Sequence, residues 1–451
     1  MIDRLVIFGA TGDLTGRFLM PALAALRMRG RLPDRFELVG ASPADWSDEQ
    51  FRNWAAEWLQ REAPDAGAAE TTALLQAARY QRLDLSDSAS VTASVAGAGP
   101  VAVYLALPPA VFPVSVSALH DVGLPEESQL VLEKPFGEDL ASAWALNRLL
   151  DGFVDERHVF RVDHFLAMST VQNVLGTRLA NRVLEPIWNS SHIGVIEIIW
   201  EEALALEGRA GYYDQVGALK DMVQNHLLQV LCLVAMEPPI SFGERDLRDR
   251  KVDVLRSVRA LEAEHVQTQT RRARYRAGRV GAREIPAYVD EDGVVAARGT
   301  ETFAEVALEL DSWRWSGTRF LMRTGKAMKE DRKEVIVHFR PVPHRMFQEQ
   351  GARPNNLRFG LEPEGLSLEL TGSGPGVEAS LVPLTLTAEI EPPELPPYGR
   401  ILLDVLTGQS ALSIRADEAE ESWRVVTPVL EAWSRDLVPL EEYDAGSSGP
   451  L

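Results

Sequence analysis

The chain has 451 residues, too many for one ordinary domain and enough for two or three. With 45% hydrophobic and 25% charged residues it can bury a sizeable core, and its net charge of −20 disfavours nucleic acid and anionic membranes as partners. The one cysteine, Cys232, excludes an intrachain disulfide framework and, inside the run LLQVLCLVAM, reads as a small core residue. No run of about 18 apolar residues marks a membrane span. The opening MIDRLVIFGATG runs straight into a strand pattern, so a cytoplasmic protein is expected.

Leu5 to Phe8 is a short apolar run ending at Gly9-Ala-Thr-Gly12, followed by helical spacing from Leu19 to Leu26 and a second apolar run, Phe36 to Val39. Strand, glycine turn, helix, strand is the opening of a doubly wound, Rossmann-like dinucleotide-binding domain. Gly9-x-x-Gly12 lets backbone N–H groups approach a pyrophosphate at the positive end of a helix. Its spacing departs from the three-glycine fingerprint, and a plain tight turn would also use it. Val101 to Leu107 ends at Pro108-Pro109, and Leu130 to Leu132 ends at Glu133-Lys134-Pro135-Phe136-Gly137. Both place special residues at the carboxyl edge of a strand, where ligands bind in open α/β sheets. The second strand ends Val39-Gly40-Ala41-Ser42-Pro43, with no basic residue before Arg52 to take the 2′-phosphate of NADP. Pro43 lacks an N–H and Asp45 would repel that phosphate, so NAD is expected over NADP, with Arg17 as a rescue contact for the phosphate.

Beyond residue 170 the pattern changes. Val195 to Glu201 alternates like a half-buried strand, and Asp214 to Met236 reads as one long buried helix stopped by Pro238-Pro239. Residues 241 to 300 are charged and weakly periodic, and the basic Arg271 to Arg276 reads as a solvated face or surface loop. Strand patterns return at Phe303 to Leu310, Thr318 to Arg323, Val335 to Phe339, Ser367 to Leu370 and Leu384 to Ile390. The expected fold is an α/β N-terminal domain (1–165) followed by an α+β domain (166–443) with a large, mainly antiparallel sheet. The Gly/Ser-rich 444–451 is expected to be a disordered tail.

Ionisable residues concentrate in Arg161-Val-Asp163-His164-Phe165 and in Asp221-Met-Val-Gln-Asn225-His226. On an α-helix, residues five apart are splayed, so Asp221 and His226 should not stack. A histidine in an apolar helix can be a satisfied core residue, but its amide and carboxylate neighbours favour a site.

VIFGATGDLTGRFLMPAL, EKPFGEDL, RVDHFLAMSTVQN, EGRAGYYDQVGALKDMVQNHLLQVLCLVAMEPP and RTGKAM, in that order, resemble the glucose-6-phosphate dehydrogenase family over residues 6 to 328. The resemblance implies that His226 is the base for the C1 hydroxyl of a pyranose, with Asp163 orienting its imidazole. Hydride would pass from C1 to the nicotinamide, leaving a lactone, without a metal. Lys134, His164, Glu207, Asp221 and Lys326 would contact the sugar. The cofactor would lie against Gly9, Thr11, Gly12, Asp13, Leu14 and Arg17, with Ser42, Pro109 and Lys134. A homodimer or homotetramer through the large sheet is also implied.

The pattern breaks where the family grips the 6-phosphate. His164-Phe165-Leu166-Ala167-Met168 stands where the family has His-Tyr-Leu-Gly-Lys, and Asp331 stands five residues after Lys326 where it has a cation. Arg332 and Lys333 follow, so a one-residue shift could restore one. Two lost charge-assisted contacts would weaken phosphate binding by roughly a hundredfold. The expected substrate is thus a hexose not phosphorylated at C6, either glucose or a 6-substituted glucose such as 6-deoxy-6-sulfoglucose. The alternatives are an ordinary glucose-6-phosphate 1-dehydrogenase with a rearranged phosphate pocket, or a non-catalytic nucleotide- or sugar-sensing homologue.

Overall fold

Six short strands build the N-terminal sheet: β1 (Arg4–Phe8), β2 (Glu37–Ser42), β3 (Ala78–Arg82), β4 (Ala102–Leu105), β5 (Gln129–Glu133) and β6 (Val159–Val162). In this computed structural model, which describes residues 1–206, 208, 210–344, 354–374 and 381–450, they lie in the order β3-β2-β1-β4-β5-β6. All neighbours are parallel, as in a doubly wound dinucleotide fold. β1, β4, β5 and β6 are buried along their whole length, as strands covered on both faces must be. Two strands carry no clear pattern of their own: β3 (ARYQR) is too polar and β6 (VFRV) too short to show a period.

The strands that follow are β7 (Ile193–Glu201), β8 (Thr270–Arg276), β9 (Gly278–Val280), β10 (Arg283–Ile285), β11 (Phe303–Glu309), β12 (Arg319–Gly325), β13 (Arg332–Phe339), β14 (Asn356–Glu362), β15 (Glu364–Ser373), β16 (Leu381–Ala388) and β17 (Leu440–Asp444). β9 and β10 form a separate hairpin. The other nine form one sheet, β16-β15-β14-β13-β7-β12-β11-β8-β17, antiparallel except for β7/β12 and β8/β17. Among the described residues no helix is long and apolar enough to cross a membrane.

Three expectations are corrected. Arg271 to Arg276 is not a surface loop but most of β8, three of whose arginines meet the acidic edge strand β17. Arg271 pairs with Glu441 at 2.6 Å, Arg274 with Glu442 at 3.6 Å and Arg276 with Asp444 at 2.8 Å. Opposite charges across the ladder support a pairing that hydrophobic alternation does not announce. The segment after β17 is held through residue 450. The Gly446 N–H donates to Ala327 O at 2.8 Å, the Lys329 N–H to Ser447 O at 2.8 Å, and Arg271 Nη1 to Pro450 O at 3.2 Å. The long helix is broken. Gly217, with φ +73°, interrupts Ala210–Ala218, and a wide π-helical stretch, Leu219–Leu227, leads into Leu228–Ala235.

The chain divides into two compact units. One comprises Met1–Met168, Pro239–Asp249 and Pro393–Glu420; the other comprises Ser169–Pro238, Arg250–Pro392 and Glu421–Leu451. The first is more than the N-terminal stretch because the helix Pro397–Thr407 returns to it: Ile401, Leu402, Val405 and Leu406 bury in the same core as Leu5, Leu23 and Val131. The Arg161 N–H donates to Ser413 Oγ at 2.9 Å, and Asn147 Nδ2 donates to Ala416 O at 3.0 Å.

Candidate active site

In the first unit the candidate residues gather at the carboxyl ends of the parallel strands. β1 ends at Gly9, whose φ of +84° and close approach to the chain after β4 leave no room for a side chain: a Cβ would sit 2.1 Å from Ala106 O. The Gly12 N–H closes the turn on Gly9 O at 3.0 Å. Asp13 and Leu14 open the helix, whose next turn is widened, so that the Met20 N–H reaches Thr15 O five residues back. The role of a third glycine falls to Gly16, four residues after Gly12. A Cβ there would meet the Trp58 ring at 2.4 Å, so Gly16 gives this turn its close helix packing.

Thr11 Oγ1 and Ser42 Oγ lie 2.9 Å apart, joining the ends of β1 and β2. Ser42 Oγ also meets Tyr80 OH at 3.0 Å, and that hydroxyl lies 2.8 Å from Ala44 O. Arg17 is exposed and paired with Asp13 at 3.5 Å. Pro109 starts a single helical turn after β4, and Lys134 follows β5 with a cis bond to Pro135. Beside Lys134, the Glu133 carboxyl is pushed up to about 7, chiefly by burial, and accepts a hydrogen bond from Tyr104 OH. Asp163 caps the turn His164–Ala167, its Oδ1 accepting from the Phe165 N–H at 3.0 Å. His164 stacks on Tyr398 at 5.8 Å, and Tyr398 stacks on Phe18 at 5.2 Å.

In the second unit His226 is buried within Leu219–Leu227, and Asp221 is partly exposed in its first turn. The stretch is wide: the Leu228 N–H bonds to Val223 O, five residues back. An i→i+5 turn places residues five apart about one turn from each other, so Asp221 and His226 are less splayed than α-helical spacing demands. The break at Gly217 leaves no space for a side chain either, since a Cβ there would lie 2.5 Å from the Glu301 carboxylate. Glu301 Oε1 accepts the Leu219 N–H at 3.0 Å, and burial pushes its carboxyl up to about 7. Sequence reasoning misses Glu301, which lies just before β11 and carries no motif of its own.

Lys326 is committed to an ion pair with Glu202 and lies 6.0 Å from the centre of the Tyr213 ring. Asp331 Oδ1 accepts the Ala203 N–H at 2.7 Å, so this carboxylate holds a turn of the chain. The two cations after it are engaged as well, Arg332 with Glu334 at 2.6 Å and Lys333 with Glu362 at 2.7 Å. Glu207 lies outside the described residues.

A doubly wound sheet with a glycine turn at its carboxyl edge defines a protein of the dinucleotide-binding class. The model for the NAD binding domain of glucose-6-phosphate dehydrogenase matches residues 6–173, and that for its C-terminal domain matches residues 175–451. The chain belongs to the glucose-6-phosphate dehydrogenase family. A glucose-6-phosphate 1-dehydrogenase of Mycolicibacterium smegmatis is 41% identical over 99% of this chain and 94% of its own length, and one of Rhizobium meliloti is 38% identical over the same shares. Among solved structures, a glucose-6-phosphate dehydrogenase in complex with glucose 6-phosphate matches with a TM-score of 0.91 at 29% identity, over 100% of this chain and 96% of that one. The enzyme of Mycobacterium avium matches with a TM-score of 0.88 at 34% identity, over 100% and 95%. The fold expected from sequence is thus the one found. The relatives do not support an unphosphorylated substrate; they favour the alternative, an ordinary glucose-6-phosphate 1-dehydrogenase.

Proposed function

We propose that this protein oxidises C1 of glucose 6-phosphate to the lactone, passing hydride to a nicotinamide cofactor. Near-full-length similarity to proteins named for that reaction carries the reading. The residues present suit the cofactor, because Gly9 makes the tight turn, Gly16 gives the close helix packing, and the exposed Gly12 between them leaves the backbone open to a pyrophosphate. When bound, the nicotinamide accepts hydride. The chain's own groups do the rest: His226 takes the C1 hydroxyl proton, Asp163 fixes its tautomer and offsets the positive charge it gains, and Lys134, His164, Glu207, Asp221 and Lys326 hold the sugar. Gly9, Thr11, Gly12, Asp13, Leu14, Arg17, Ser42 and Pro109 hold the nucleotide. The end of β2, Ser42-Pro43 with the exposed Asp45 beyond it, by itself favours NAD over NADP.

A second reading, a hexose without a 6-phosphate, rests on one specific observation. Lys326, Arg332 and Lys333 already answer carboxylates, and His164 answers an aromatic stack, so a phosphate dianion would have to break ion pairs to be held. Initial rates of reduced-cofactor formation with glucose 6-phosphate, glucose, 6-deoxyglucose and 6-deoxy-6-sulfoglucose decide between them. Highest kcat/KM with glucose 6-phosphate upholds the first reading. A winner among the other three overturns it, and no turnover with any of them points to a non-catalytic sensor.

A further inference from the structure

β2 and β3 end side by side at the carboxyl edge of the parallel sheet, with Ser42 opposite Arg82 in register. Paired strands stand about 4.8 Å apart, well within the reach of an arginine side chain. Tyr80 and Arg82, two residues apart on β3, project from the same face. Tyr80 shows where that face leads: its hydroxyl meets Ser42 Oγ at 3.0 Å and Ala44 O at 2.8 Å, under the loop that follows β2. Asp45 stands in that loop, and both it and Arg82 are exposed. The two charges act on the Tyr80 hydroxyl, whose pKa is raised mainly by burial, further by Asp45, and drawn down by Arg82.

The end of β2 is where a dinucleotide fold reads the adenosine ribose, an acid taking the 2′-hydroxyl and an arginine taking a 2′-phosphate. Arg52, the next basic residue in the sequence after β2, is at the other end of the sheet, where its Nε donates to Ala78 O of the first residue of β3 at 2.8 Å. Arg17 sits on the first helix, paired with Asp13. Where β2 has no cation, its neighbour β3 ends in one.

We propose that Arg82, at the end of β3, reads the 2′-phosphate of NADP in this protein, opposed by Asp45, so that these two charges set the NADP/NAD balance. That reverses the preference that β2 alone suggests. The proposal rests on the first unit being the nucleotide site and is independent of which hexose is oxidised. Calorimetric titration with adenosine 2′,5′-bisphosphate and with 5′-AMP, which differ only by the 2′-phosphate, tests it without turnover. The wild type should bind the bisphosphate more tightly. Arg82→Gln should lose about tenfold for the bisphosphate and leave 5′-AMP unchanged, the loss of one charge-assisted contact. Asp45→Asn should tighten the bisphosphate a few-fold without affecting 5′-AMP. Equal weakening of both ligands in Arg82→Gln, no change in either, or a wild type that does not discriminate would each overturn the assignment. Thermal melts of both variants check that the fold is intact.

Discussion

The two units present their polar groups by opposite means. In the first, the candidate residues stand at or soon after the carboxyl ends of parallel strands, where the backbone leaves the sheet, and all but Ser42 and Asp163 are at least partly exposed. In the second, His226 is buried with Gln224 and Asn225 inside a helix, and the helix is distorted around it, broken at Gly217, capped by Glu301 and widened from Leu219 to Leu227. A strand-end site separates binding from folding; a helix-interior site couples them. Substitutions in the first unit should therefore act mainly on nucleotide affinity, and those in the second on chemistry and stability together.

The largest expected effect is at the buried histidine. His226→Ala should lower kcat by about 10²–10⁴-fold, the usual loss with a general base, with little change in nucleotide affinity. Steady-state rates and a nucleotide titration on the same preparation check it; a near-wild-type kcat would remove His226 from the chemistry. Next come two of the cramped glycines, one from each unit. Gly217→Ala forces a side chain into a left-handed backbone against Glu301, and should cost about 2–3 kcal/mol of stability and lower kcat with it. Gly9→Ala meets a backbone carbonyl at 2.1 Å and should weaken nucleotide binding at least as strongly as it lowers the melting temperature. If both variants show the same ratio of lost affinity to lost stability, the contrast between the units fails.

That contrast also sets what is legible in the sequence. Short apolar runs ending in Gly9, Pro109 and Lys134 announce strand ends, so much of the first unit can be read from periodicity and turn chemistry alone. The widened helix cannot, because nothing in the spacing of Asp214 to Met236 distinguishes an α from a π turn. Strand β8 is hidden because its pairing relies on charges from β17, such as Glu441, 170 residues beyond Arg271, which no local window contains. Gly16 is legible from its distance to Gly12; Glu301 and Arg82 become meaningful only when β11 and β3 are placed.

Each unit also buries a carboxyl pushed up to about 7, Glu133 in the first and Glu301 in the second. Both keep a proton in the folded chain that the unfolded chain, with an ordinary carboxyl near 4.5, releases. The folded state then binds more protons, so stability falls as pH rises from about 4.5 to about 7 and levels off above that. Each group should account for on the order of 3 kcal/mol across this window. Thermal melts between about pH 5 and pH 8 should show the decline, and Glu133→Gln and Glu301→Gln should each flatten part of it. An unchanged slope in both variants would mean that the carboxyls ionise in the fold.

The smallest effect bears on the substrate. Met168 follows the turn His164–Ala167, its N–H bonded to Phe165 O at 3.0 Å, and its side chain is partly exposed, so a longer charged residue fits there without displacing core. Met168→Lys places a cation near His164, where the family resemblance puts one. If the pocket accepts a 6-phosphate through other groups, the added contact should raise kcat/KM for glucose 6-phosphate about tenfold and leave glucose unchanged. If the pocket does not take a 6-phosphate, the added cation will not create the site alone, and the ratio of glucose 6-phosphate to glucose will stay at the wild-type value. Because the substitution lies on a strand-end turn, a change in melting temperature larger than the change in substrate preference would count against the separation of binding from folding in that unit.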